Sequence, residues 1–246
     1  MRQLLLLVLA TGACAQAHRE GFTTRPDSGG GIHVTDSDMG GGTDGSNPQI
    51  DAPNGQQIDA PTQGGAQTLT QTTSNADTLA GIACGPTNGD MYTLKTSFYR
   101  VFTLSDYGIT GTFHVQAVDF GVSTPAGNPP IKVSVGTYNG TTGGTNLTTS
   151  GIMLSAQATL NPASTDTTEH VPITADITGN LIVEIDQTAD GNTTNGYTFY
   201  PAANTSGESK PGYIMSTACG VNTPTTIKSA NNNMESDIVV TVTGST

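Results

Sequence analysis

From about residue 76 onward, short apolar runs alternate with clusters of Gly, Pro, Asn and Asp at fairly regular intervals. This pattern is typical of antiparallel sheets, because turn residues separate strands that each bury one face. The runs predict nine strands, at residues 97–104, 112–122, 131–138, 152–160, 168–175, 180–187, 196–201, 212–218 and 236–243. No segment has convincing helical periodicity. We therefore expect an all-β fold.

Individual strands predict how the sheets pack. In two of them apolar and polar residues alternate cleanly, so one face should lie in the core and the other in water. These apolar residues are Ile131, Val133 and Val135 in one strand and Leu181, Val183 and Ile185 in the other. In the strand at 112–122 the alternation shifts by one residue, and a bulge near Gln116 and Ala117 would restore a single buried face. The result is a two-sheet antiparallel β-sandwich at residues 76–246.

The first 14 residues have the composition of an export signal. Arg2 precedes the apolar run at 4–10, which is too short for a bilayer that needs about 20 apolar residues. The run ends at Thr11-Gly12-Ala13-Cys14, which resembles the bacterial lipobox, although Thr11 replaces the usual Leu. The resemblance implies a diacylated Cys14 and an outer-membrane or cell-surface lipoprotein. The alternative is cleavage after Ala13-Cys14-Ala15, which would release a secreted soluble protein.

Residues 15–75 have the composition of a disordered linker. They include glycine triplets at 29–31 and 40–42 and almost no large apolar residue, so they cannot bury enough surface to offset their ordering entropy. The segment 49–53 (Gln-Ile-Asp-Ala-Pro) returns at 57–61. Such repeats resemble the linkers that follow the acylated cysteine in surface lipoproteins of some Gram-negative bacteria. This is consistent with attachment to the membrane through lipid alone.

Charge argues against a nucleic-acid partner. The chain has 8 Lys and Arg against 20 Asp and Glu, a formal net charge of −12. Nucleic-acid binding relies on Lys and Arg to displace counterions from phosphates, so an acidic chain is repelled.

Cys84 and Cys219 stand in matching Ala-Cys-Gly contexts near the two ends of the predicted domain. In an oxidising compartment outside the cytoplasm, they are expected to form a disulfide. The alternative is a pair of free buried thiols.

Motifs for catalysis are absent from the sequence: it contains no Gly-x-Ser-x-Gly, His-Glu-x-x-His or Cys-x-x-Cys. His114 is predicted on an exposed strand face and His170 on an edge strand, neither held against a nucleophile. The glycine-rich run at 136–144 lacks the Lys and following helix of a phosphate loop and predicts a mobile hairpin tip. We therefore expect a protein that is not an enzyme.

Two groups of residues are candidate ligand sites. Asp186, Asp190 and Asn192 cluster after a strand, as ligands of a calcium site at a sandwich edge would, but turn chemistry explains them equally well. Apart from this calcium ion, no cofactor is expected. An aromatic group could stack on sugar rings, although so few aromatics are present that most are needed in the core. Its members are Tyr197, Tyr200 and Tyr213, with Phe199 between them.

Several motifs of the domain resemble an accessory β-sandwich module of secreted bacterial multi-domain proteins. They are Phe98-Tyr99-Arg100-Val101-Phe102, Phe113-x-Val115-x-x-Val118-x-Phe120-Gly121-Val122, Asn204-x-x-Gly207-x-x-x-Pro211-x-Tyr213 and Cys219-Gly220. The resemblance implies a jelly-roll-like sandwich and supplies no catalytic set. The expected function is a non-catalytic, surface-displayed module that binds or adheres to a surface protein or glycan. The alternatives are a secreted glycan or peptide hydrolase and a passive structural protein of the envelope.

Overall fold

The structure, a computed structural model, describes residues 14–16, 65–76, 79–86 and 90–246. These residues form strands joined by turns, three short 3-10 helices and one four-residue α-helix, α1 (Ile227–Ala230). The strands are β1 (Cys14–Gln16), β2 (Gln67–Thr70), β3 (Leu79–Ala80), β4 (Ile82–Cys84), β5 (Ser97–Thr103), β6 (Phe113–Ala126), β7 (Ile131–Tyr138), β8 (Ile152–Leu160), β9 (Thr167–Ile177), β10 (Asn180–Gln187), β11 (Thr198–Asn204), β12 (Tyr213–Ser216), β13 (Val221–Thr226), β14 (Asp237–Ile238) and β15 (Val240–Ser245). No helix in these ranges is long and apolar enough to cross a bilayer.

Two large antiparallel sheets form the sandwich, and β1 and β4 form a separate two-stranded sheet. The first has six strands in the order β13-β12-β5-β10-β7-β8. The second has the order β14-β11-β6-β15-β2, with β9 also paired to β6 and β3 also paired to β11. The predicted all-β sandwich is therefore confirmed, and each of the nine predicted strands has an observed counterpart within a few residues.

The hydrophobic core lies between the sheets and follows from the alternation along the strands. Phe98 and Phe102 on β5 point inward together with the apolar residues of β7 and β10. The ring of Phe199 meets Phe98 and Phe120 edge-on, with centroids 6.2 and 6.3 Å apart. Edge-on contact places the positive rim of one ring against the negative face of another.

The bulge predicted in β6 is present. Against β15 the register shifts between Val115 and Ala117, so Gln116 is the extra residue. Against β9 the register shifts at the same place, but there two residues of β9, Ile173 and Thr174, lie opposite Gln116. Because of this insertion, Val115 and Val118 both reach the core, although a regular strand would place them on opposite faces.

The sandwich begins before the predicted boundary at residue 76. Residues 67–70 form β2, which pairs with β15, and Leu69 is buried opposite Val242. The predicted linker therefore cannot extend to residue 75, because a strand whose central side chain enters the core belongs to the domain. The remainder of that linker, residues 17–64, and the signal residues 1–13 lie outside the described residues.

The outer face of the first sheet is partly covered, contrary to the expectation that it lies in water. A second apolar cluster occupies it, made of Tyr99, Val101, Tyr138, Leu147, Ile182 and Tyr213. The loop at 139–151 covers part of this cluster: Leu147 donates its backbone N–H to the Pro224 carbonyl, and the Tyr213 hydroxyl donates to Gly144. The hairpin predicted at 136–144 is present, because β7 and β8 pair antiparallel on either side of this loop. The mobility of its tip stays a prediction.

Candidate functional site

The predicted disulfide is present between Cys84 and Cys219. The two sulfurs are 2.02 Å apart, the Cα atoms are 5.8 Å apart and the sequence separation is 135 residues. The bridge joins the end of β4 to the short 3-10 helix after β12. Closing a loop of this length stabilises the fold by roughly 5 kcal/mol in the chain-entropy picture, less any strain.

The predicted lipidation residue, Cys14, lies in β1. This strand pairs antiparallel with β4, and Cys14 stands opposite Cys84 in the register. Cys14 therefore lies beside β4, although many residues separate the two strands in the sequence. Lipidation of Cys14 stays a prediction.

The three residues of the predicted calcium site each have a local partner in a turn or strand. Asp186 accepts a hydrogen bond from the Ser97 hydroxyl at 2.9 Å, and Asp190 accepts from the Lys95 backbone N–H at 2.7 Å. Asn192 accepts from the backbone N–H groups of the next turn. Within the described part of the chain, no three His, Cys, Asp or Glu side chains form a group suited to a metal ion. Calcium binding stays a prediction, and of the three residues Asn192 is the one whose side chain makes the hydrogen bonds of a turn.

The three candidate tyrosines do not share one exposed surface. Tyr200 is buried in the core between the sheets, and Tyr213 is buried in the cluster on the outer face of the first sheet. Tyr197 is partly exposed. A stacking platform needs exposed ring faces, so the alternative that these aromatics fill the two apolar clusters fits their positions better.

Both histidines lie where the sequence placed them. His114 is on the exposed face of β6, with its Nδ1 2.7 Å from an Asp176 oxygen. His170 is on β9, which pairs on one side with β6, and its Nδ1 is 2.6 Å from an Asp119 oxygen. Each pair joins residues directly opposite each other on neighbouring strands, on an open sheet surface.

A polar cluster that the sequence did not identify lies on the outer face of the first sheet. The antiparallel registers align Ser97, Asp186 and Lys132 in one row across β5, β10 and β7. The next row contains Tyr99 and Glu184, followed by Ser134. We call Ser97, Tyr99, Lys132, Glu184 and Asp186 the outer-face cluster.

Hydrogen bonds fix the carboxylates of the outer-face cluster. The Tyr99 hydroxyl donates to Glu184 Oε1 at 2.9 Å, and the Ser97 hydroxyl donates to Asp186 at 2.9 Å. The Lys132 ammonium lies 3.4 Å from Asp186 Oδ2 and 3.9 Å from Glu184 Oε2. One cation therefore contacts both acids, and the whole set is held on strands paired on both sides.

Burial dominates the electrostatics of this cluster. The Glu184 residue is only 8% exposed, and this burial raises the pKa of its carboxyl above the usual value. The charge of Asp186 raises that pKa further, whereas the Tyr99 hydroxyl and Lys132 lower it. Burial and the neighbouring Glu184 charge likewise raise the pKa of the Tyr99 hydroxyl. Tyr99 is therefore a hydrogen-bond donor at neutral pH.

A groove of about 340 Å³ opens beside the two carboxylates. Its wall on the side of β12 carries Met215, and its lining residues are Lys95, Ser97, Glu184, Asp186, Met215, Ser216 and Thr217. The Ser216 hydroxyl donates to the Lys95 carbonyl at 2.6 Å and fixes the end of the groove. The groove thus combines carboxylate acceptors, hydroxyl and ammonium donors and one thioether.

The sequence contains a partial signal for this site. Glu184 and Asp186 alternate with Val183 and Ile185, so they were bound to share the face opposite the core. Nothing in that pattern shows that Glu184 is buried, because the residues around it come from strands distant in sequence.

No family model, curated protein or solved structure matches the chain.

Proposed function

We propose that the sandwich is a non-catalytic, surface-displayed binding module of an exported bacterial lipoprotein, and that the groove beside the outer-face cluster binds a glycan. The observation that carries the proposal is the fixed, largely buried pair of carboxylates, Glu184 and Asp186, with Lys132 against them and an open groove beside them.

The chemistry of the groove suits a hydroxyl-rich ligand. A sugar hydroxyl both donates and accepts hydrogen bonds, and carboxylate, ammonium and serine groups side by side meet both needs. Met215 supplies a polarizable apolar surface for the C–H face of a ring. A divalent cation fits the pair less well, because the Lys132 ammonium already contacts both carboxylates.

The paired carboxylates raise the hydrolase alternative, which their placement does not favour. Glycosidases use two carboxyl groups that flank the scissile bond from opposite sides. Glu184 and Asp186 are two residues apart on one strand and project from the same face of the sheet. Both would approach a bound sugar from one side, as binding groups do.

The exported, lipid-anchored setting of this module rests on the sequence. Its supports are the apolar run at 4–10, the lipobox-like residues ending at Cys14 and the composition of the linker. Labelling of cells with palmitate tests this attachment. We expect the label on the wild-type protein and none on Cys14→Ser. Palmitate on the variant would refute attachment through Cys14 and leave the glycan site untouched.

A glycan array probed with the full-length exported protein tests the binding function. We expect several related sugars to bind. Glu184→Gln and Asp186→Asn should each weaken binding about tenfold or more, since a hydrogen bond to a charged group contributes about 1.5–3 kcal/mol. Asp176→Asn, a matched loss of charge on the outer face of the second sheet, should bind like the wild type.

The same array separates the alternatives. An array without bound glycan would refute the glycan site. Equal binding by wild type and both groove variants would place the sugar elsewhere. Release of shortened sugar products from a bound glycan would refute the non-catalytic assignment.

A further inference from the structure

Strand β8 is an end strand of the first sheet with an unusual sequence for an edge. It pairs with β7 on one side, and no strand in the described ranges pairs with its other side. Its sequence, Ile-Met-Leu-Ser-Ala-Gln-Ala-Thr-Leu, has no charge, no Pro and no Gly. Edge strands are normally blunted by such residues, because unpaired backbone N–H and C=O groups are a template for another strand.

The other long edges of the sandwich carry this protection. β9, an edge of the second sheet, contains Pro172 together with Glu169 and Asp176. β13, at the opposite end of the first sheet, contains Pro224. Among the long edge strands of the described ranges, β8 is therefore the one without a charge or a proline.

Apolar side chains accompany the open backbone edge. Met153 and Leu154 are 54% and 41% exposed, and they are neighbours on this strand. On the core side Ala156, Ala158 and Leu160 pack against the main hydrophobic cluster but are only partly buried. The hydrophobic core therefore ends at β8 without being closed there.

We propose that β8 pairs antiparallel with β8 of a second copy of this chain, so that the two first sheets join into one continuous sheet. A bulge at Ser155 interrupts the pairing of β8 with β7, which leaves 156–160 as the regular segment. A two-fold axis beside Ala158 sets Ala158 opposite itself and Gln157 opposite Thr159. Such a contact is isologous, because the same surface is used by both copies.

The uncharged sequence of β8 makes this edge a suitable contact between two copies of the chain. The chain has a formal net charge of −12, so most approaches of two copies bring like charges together. The β8 edge is an uncharged strip and matches its own copy without repulsion. Pairing also covers Ala156 and Leu160 and extends the core from one copy into the other.

Sedimentation of the full-length protein over a wide concentration range tests the interface. We expect a reversible monomer–dimer equilibrium for the wild type. Gln157→Lys should weaken the dimer at least tenfold, because two new charges would meet near the axis. Thr223→Lys adds the same charge at an exposed position of β13, at the opposite end of the first sheet, and should dimerise like the wild type. A wild type that is monomeric throughout, or a dimer unaffected by Gln157→Lys, would overturn the proposal.

A cysteine scan and hydrogen exchange identify the pairing partner. Ala158→Cys should form a covalent dimer under mild oxidation faster than the wild type or Thr223→Cys, because residue 158 faces its own copy. Amide protection at 156–160 should rise with protein concentration. Protection independent of concentration would show that another part of the same chain covers β8, and would refute the second copy. These results do not depend on whether a glycan binds.

Discussion

Two neighbours on β5, Tyr99 and Arg100, point to opposite faces of the same strand, and each contacts one largely buried glutamate. On the outer face Tyr99 donates a neutral hydroxyl to Glu184 at 2.9 Å. On the inner face the Arg100 guanidinium lies 2.6 Å from Glu208, and Arg100 is 1% exposed. Both sites contain a largely buried carboxylate, but the contact from β5 is a neutral hydroxyl at Glu184 and a guanidinium cation at Glu208.

The inner site joins distant segments of the chain. Arg100 also donates to the Lys210 carbonyl at 2.8 Å and to the Ile238 carbonyl at 2.6 Å. Glu208 in turn accepts the Gly212 backbone N–H at 3.2 Å. One cation thus fixes the loop before β12 and the strand β14. The terminal nitrogens of Arg100 are occupied by Glu208 and two backbone carbonyls, so the role of Arg100 is structural, although Glu208 also lines a groove of about 320 Å³.

The outer site holds its carboxylate differently. Glu184 lies on β10, which is already fixed by pairing with β5 and β7. The position of β10 is set by backbone pairing and not by the Glu184 carboxylate, and the groove beside Glu184 is open. The comparison teaches that a buried acid is a candidate binding group when the backbone around it is held by other means.

The largest effect is expected from breaking the inner site. Arg100→Met should lower the free energy of unfolding by about 3–5 kcal/mol, because it leaves Glu208 buried without its cation. Urea unfolding at neutral pH, followed by circular dichroism, measures it. The double variant Arg100→Met with Glu208→Gln should recover part of the loss, since no charge is then stranded. A loss below 1 kcal/mol in the single variant would show that the ion pair is not structural.

A smaller effect is expected on the outer face. Tyr99→Phe should lower the free energy of unfolding by about 1.5–3 kcal/mol, because the hydroxyl donates to a charged acceptor. Tyr213→Phe is the matched control. Tyr213 stands opposite Tyr99 on β12 but donates to the neutral Gly144 carbonyl, so about 0.5–1.5 kcal/mol should be lost. Equal losses in urea unfolding would show that the Glu184 charge contributes nothing to the Tyr99 bond.

Local sequence predicted much of the fold. The alternation along β7 and β10 and the shifted alternation in β6 predicted the sandwich and the bulge at Gln116, because these patterns are set by one strand alone. The Ala-Cys-Gly contexts predicted the disulfide between Cys84 and Cys219. Strand β2 was missed, since its four residues contain a single large apolar side chain, Leu69.

The candidate site was harder to predict because its environment is assembled from distant segments. The alternation places Glu184 opposite the core and predicts exposure, but packing of β5, β7 and β12 around it produces burial. Arg100 is similar: alternation with Phe98 and Phe102 places it inward, and its partner Glu208 lies in a loop far along the chain. One strand's pattern gives the direction of a side chain but not its partners.

The smallest effect concerns how stability changes with pH at the two glutamates. Burial raises the pKa of both Glu184 and Glu208 above 4.5, so protonation favours the folded state. Each group therefore stabilises the folded state fully at a pH below its pKa in the unfolded chain. This contribution is lost as the pH rises through its pKa in the folded protein. A glutamine at position 184 does not titrate, so it keeps the same contribution at every pH. The free energy of unfolding of Glu184→Gln minus that of the wild type should therefore be larger at pH 7 than at pH 4.5.

Glu208→Gln provides the matched comparison for this pH dependence. Its stability relative to the wild type should change with pH in the same sense, because burial raises the pKa there too. The whole curve should be displaced toward lower stability, since the variant removes the partner of buried Arg100. Urea unfolding of both variants between pH 4.5 and 7 gives the two curves. If the free energy of unfolding of Glu208→Gln were not lowered in this way, the glutamates on the two faces of β5 would be held alike. The distinction between a structural and a binding carboxylate would then be wrong.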